Sequence, residues 1–95
     1  MESKILSVLI DRMGYTQEAA FQVEKEILNL DSKLKEVFDA WLETGEEFAD
    51  TSVRGFSLGN LKKDYEMNFI AAILTLDWLI KSPEEAEISL QEGIL

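Results

Sequence analysis

The 95-residue chain has no cysteine and no histidine, and it carries only one proline and five glycines. Without cysteine there are no disulfides, no thiol chemistry and no zinc–thiolate sites. Without histidine the commonest general base, the commonest metal ligand and the one side chain that titrates near neutrality are all missing. Positive charge is also scarce. Nine Lys and Arg stand against nineteen Asp and Glu, a formal charge of −10 at pH 7. Phosphate backbones and anionic lipid surfaces are polyanions, so direct binding to nucleic acid or membrane is not expected. Long hydrophobic runs are absent too. Near the amino terminus the apolar run from Ile5 to Ile10 is closed by Asp11 and Arg12, too short for a secretory signal. The expectation is a cytoplasmic protein.

What is present describes one helical domain over residues 1–95. A hydrophobic fraction of 46% is ordinary for a globular chain. With so few helix breakers, apolar residues recur at helical spacing. Leu6, Leu9, Ile10 and Met13 form one stripe and Ala20, Val23, Ile27 and Leu30 a second. Leu34, Val37, Phe38, Trp41 and Leu42 form a third. Gly14 is placed to end a helix and Thr16 to cap the next. The three stripes also fit one heptad register, but a continuous coiled coil would have to cross both boundary residues. Asp31 and Ser32 suit a further cap, so helices over 3–13, 17–29 and 32–44 are preferred to a fusion of the last two.

Thr44-Gly45 closes the third helix. Residues 45–57 read as the one longer loop, whose Thr, Ser and Val suit a short extended segment. From Ser57 the pattern is helical again to Lys81, with an irregularity expected near Gly59 and Asn60. Ser82, Pro83 and Glu85 then have the spacing of N-cap, first helical residue and capping-box partner, opening a helix of about 83–92 that stops at Gly93. The predicted fold is all-α, a bundle of about five short helices with a nearly fully apolar central one.

Three local patterns bear on chemistry. The stretch "GFSLG", Gly55 to Gly59, fits the nucleophile-elbow pattern of serine hydrolases. That elbow needs a large sheet-based domain and a histidine to take the serine proton. A Ser–Lys pairing would require Lys62 or Lys63 to be desolvated, yet two adjacent lysines before Asp64 read as an exposed face. The spacing suits a turn at Gly55, a core contact by Phe56 and a helix cap at Ser57. No catalytic residue is assigned.

Glu43, Glu46, Glu47 and Asp50 crowd the end of the third helix and the following loop. Their spacing is not that of a calcium-binding loop, which needs acids at alternate positions around a central glycine. They read as a solvated acidic surface, with weak magnesium or calcium binding as the alternative. No metal or cofactor is assigned.

The most informative stretch is "MNFIAAILTLDWLIK", 67–81. On a helix it shows a broad apolar stripe of Phe69, Ala72, Ile73, Leu76, Leu79 and Ile80, joined by Tyr65. On nearly the opposite side lies a second stripe of Met67, Ala71, Leu74 and Trp78. Two thin polar lines separate them: Asn68 with Thr75, and Asp77 with Glu66 and Lys81. Asp77 and Lys81, four apart with the acid first, suit a surface pair. A helix apolar nearly all round is buried nearly all round, by its own domain or by a second molecule. The functional expectation is therefore a non-enzymatic interaction or assembly module that self-associates through apolar helix faces. Met67, Ala71, Leu74 and Trp78 are the partner-binding residues. The alternative is an acidic decoy that imitates nucleic acid and occupies the basic surface of a nucleic-acid-binding protein.

Overall fold

The computed structural model describes residues 4–92. Ser3 and Gly93, the expected first residue and final stop of the helical pattern, lie outside the described residues. The elements are α1 (Lys4–Asp11), α2 (Gln17–Leu28), α3 (Ser32–Thr44), β1 (Ser52–Val53), β2 (Phe56–Ser57), α4 (Leu58–Asp64), α5 (Phe69–Lys81) and α6 (Pro83–Glu92). This is an all-α bundle of short helices with one very small hairpin.

Helix boundaries follow side-chain chemistry. The Thr16 hydroxyl accepts the Ala19 N–H at 3.2 Å and starts α2. Asp31 caps α3, accepting the Lys33 N–H at 3.2 Å, so the second and third helices are separate. Gly45 closes α3 in the left-handed region at φ 79°, its N–H donating to the Trp41 carbonyl at 2.8 Å. An L-residue there would cost about 1–2 kcal/mol.

Two boundaries differ from expectation. The stretch from Ser57 to Lys81 is broken, and the break lies at residues 65–68 rather than near Gly59. Glu66 turns the chain at φ 55°, and the Asn68 side chain accepts the Ala71 N–H at 2.8 Å to begin α5. Six helices result among the described residues instead of about five. Ser82 joins α5 to α6 through its backbone instead of a side-chain capping box. Its N–H donates to the Trp78 carbonyl at 2.7 Å and its carbonyl accepts the Ala86 N–H at 3.0 Å.

The 45–57 segment is more ordered than a loop. β1 and β2 pair antiparallel, Ser52 with Ser57 and Val53 with Phe56. Arg54 and Gly55 connect them with φ of 51° and 88°, the two positive values of the turn that suits strand twist in a tight hairpin. Arg54 is also held from outside, its Nε donating to Glu87 of α6 at 2.7 Å. That bond, reinforced by the Glu87 charge, raises the guanidinium pKa above its ordinary value.

The core gathers on α5. Phe69, Ile70, Ala72, Ile73, Leu76 and Leu79 are buried, as are Leu34, Phe38 and Trp41 of α3 and Leu58 and Leu61 of α4. Phe69 stacks on Trp41 with ring centroids 4.6 Å apart, and Phe38 lies 5.6 Å from Trp41. This aromatic trio fastens α3 to α5, each pair adding to the area it buries. Ile80, assigned to the broad stripe, is instead 40% exposed, and in α1 the buried residues are Ile5 and Leu9 while Ile10 is exposed. Both exposed isoleucines lie near the carboxyl end of a short helix, in its last turn.

Candidate interaction surfaces

Ser57 acts as a cap. Its Oγ accepts the Asn60 N–H at 3.1 Å and donates to the Asn60 side-chain carbonyl at 3.3 Å. Phe56 packs half-buried on the core, and Gly59 lies against the 45–51 loop, where an added Cβ would stand 3.3 Å from the Ala49 Cβ. Lys62 forms an ion pair with Glu47. Each residue of "GFSLG" that departs from a plain helical pattern thus has a structural task.

The second stripe of α5 is half-buried. Met67, in the link before the helix, Leu74 and Trp78 pack partly on the core, and Ala71 is likewise half-covered. The polar lines beside this stripe are only partly solvent-facing: Glu66, Asn68 and Lys81 are exposed. Thr75 and Asp77 are both buried, at 8% and 7% exposure. Thr75 Oγ1 donates to the Ala71 carbonyl at 2.8 Å. Asp77 and Lys81 do pair, at 2.7 Å, but the carboxylate is held from a second side by the Asp31 N–H at 2.9 Å. Lys81 also reaches the Asn29 carbonyl at 2.5 Å. What looked like a surface pair is a clamp binding the α2–α3 junction to the central helix.

Beside the clamp is an open groove of about 620 Å³. Lys25 and Glu26 of α2 with its C-cap Asn29 form one wall, and Leu74, Thr75, Trp78 and Lys81 of α5 the other. The groove's charges are balanced, two lysines against Glu26 and Asp77. Leu28, in the same turn of α2 as Lys25 and Asn29, is 60% exposed, the most exposed large apolar residue described. Phe21, seven residues earlier and so on the same line of α2, is 45% exposed. Sequence reasoning placed no weight on either, because their line lies beside α2's buried stripe and period alone does not separate the two.

The acidic residues Glu43, Glu46, Glu47 and Asp50 are all exposed. They do not converge: among the described residues no three acidic side chains come close enough to hold a metal ion. Glu46, Glu47 and Asp50 adjoin a different apolar residue along the chain. Phe48, 45% exposed, lies with Glu36, Val37, Ala40 and Thr51 around an open hollow of about 290 Å³ on the flank of α3. No helix among the described residues is long and apolar enough to cross a membrane.

Compared with protein-family models, curated proteins and solved structures, the chain matches none.

Proposed function

We propose that this chain is a non-enzymatic interaction and assembly module that self-associates through the face containing Trp78. Its support is the half-exposed line of Leu74 and Trp78 along an open groove near exposed Leu28. Tryptophan buries a large area at little entropic cost and is frequent where interfaces gain most of their energy. Balanced charge in the groove is what a self-pairing surface needs, since a strongly acidic face would repel its own copy. A domain of this size has a thin core, and pairing adds to it. The setting is the cytoplasm, and the partner a second copy of the chain.

The test is solution mass by light scattering behind a sizing column, over a range of protein concentration and at low and high salt. The expected result is a mass above the 10.8 kDa of one chain that persists in high salt, because apolar contacts are not screened. Trp78→Glu should return it to one chain's mass. Leu28→Glu, at a residue 60% exposed, should do the same without disturbing the fold. A single-chain mass throughout rejects self-association. An acidic decoy would also stay monomeric, and would lose a basic partner steeply as salt rises.

A further inference from the structure

The geometry points to a second docking surface, apart from the Trp78 groove: the hollow around Phe48, which takes a basic amphipathic segment of a partner protein, an apolar side chain seating against Phe48 and lysines or arginines meeting the carboxylates around it.

Phe48 is exposed by construction. The chain around it is anchored on both sides, so the ring is not simply part of a loose loop. The Gly59 N–H donates to the Ala49 carbonyl at 3.1 Å, and the Leu58 N–H to the Thr51 carbonyl at 2.9 Å. The Glu47–Lys62 ion pair ties the preceding residue to α4. Glycine at 59 permits this approach, since a Cβ there would already crowd Ala49. The anchored loop holds Phe48 beside Val37 and Ala40 yet leaves it 45% exposed.

The surroundings select the occupant. Glu36 lines the hollow, and Glu43 lies seven residues on, along the same line of α3. Glu46 and Asp50 flank Phe48 two residues to either side. None of these four forms an ion pair among the described residues, whereas nearby Lys35 is taken by Asp39 and Lys62 by Glu47. Lys33, one turn before Glu36 and Val37, and Lys63, beside Lys62 in α4, are the nearby cations in no ion pair among the described residues. Four carboxylates in no ion pair against two such lysines leave this apolar site net acidic, which a second acidic copy would avoid and a basic segment would match.

The test titrates the whole protein, isotope-labelled for amide shift mapping, with a synthetic lysine–leucine peptide of helical amphipathic spacing. Two further peptides are compared: one with serine for leucine, and one with glutamate for lysine. Amide shifts should concentrate at Glu36, Val37, Ala40 and 46–51. Phe48→Ser, at an exposed loop position, should weaken binding about tenfold or more, as loss of one buried aromatic contact predicts. Glu36→Lys with Glu43→Lys should weaken it further and flatten its salt dependence. Leu28→Ser should leave it unchanged, which separates this surface from the self-association face. Four results would overturn the proposal: no binding, unaltered affinity in Phe48→Ser, shifts centred on Trp78, or equal affinity for the serine peptide. The last would mean that charge alone is read, as in an acidic decoy.

Discussion

The Trp78 groove and the Phe48 hollow both leave an aromatic side chain within reach of solvent, and they do so for opposite reasons. Trp78 belongs to the most enclosed helix of the molecule and is left over where α2 and α5 diverge. Phe48 belongs to a helix-free segment and is held out by bonds that pin its neighbours. Around Trp78 the charges cancel, and around Phe48 they add. Apolar exposure alone therefore says little about a partner, while the charge beside it separates a surface fit for a like molecule from one fit for a basic one.

Substitutions that act on both surfaces at once should have the largest effect. Phe69→Ala removes the ring stacked on Trp41 and should cost about 3–5 kcal/mol, most of a small domain's stability. Chemical denaturation should show it, and both surfaces should fail together. Asp77→Ala should separate them. It leaves the Asp31 N–H without its acceptor and Lys81 with the Asn29 carbonyl alone, at about 1–3 kcal/mol, and loosens the wall of the groove. Hydrogen exchange should rise at the start of α3, with little change at 48–59, while Asp77→Asn, which keeps an acceptor for Asp31, should be milder.

Gly55→Ala acts on the other surface. It forces a side chain to φ 88° in the hairpin turn and should cost about 1 kcal/mol, with exchange rising first around 51–57. Glu66→Gly is the smallest and has the opposite sign. Relief of the left-handed residue between α4 and α5 should raise stability by about 0.5–1 kcal/mol, visible as a shifted denaturation midpoint with neither surface altered.

Much of the helical layout was readable because it rests on local chemistry. Thr16, Asp31 and Ser57 each accept a backbone N–H two or three residues ahead, and that relation is visible in sequence. The break at 65–68 was missed because Asn68 has two readings. It lies on a helical line with Thr75, and it also stands immediately before an apolar run, where an asparagine caps; the second reading was the correct one. Asp77 was misread for a different reason. Its partner Lys81 is four residues away, but the backbone N–H that draws it inward belongs to Asp31, 46 residues earlier. Phe48 carried one faint signal, an aromatic between Glu47 and Asp50 in a stretch with no period. Its exposure depends on Ala49 and Thr51 bonding to α4, which no local rule reveals. Met67, Ala71, Leu74 and Trp78 were legible as a line on one helix, but the wall facing them on α2 was not.

The joint at Ser82 bears on the order of assembly. Only one residue separates α5 from α6, so bringing these two helices together closes almost no loop and sacrifices little chain entropy. The α4–α5 link is longer, residues 65–68, and α3 must find α5 from much farther along the chain when Trp41 meets Phe69. Contacts near in sequence form fastest. The α5–α6 pair is thus the cheapest template in the molecule, and lengthening the joint with flexible residues should slow folding more than it lowers final stability.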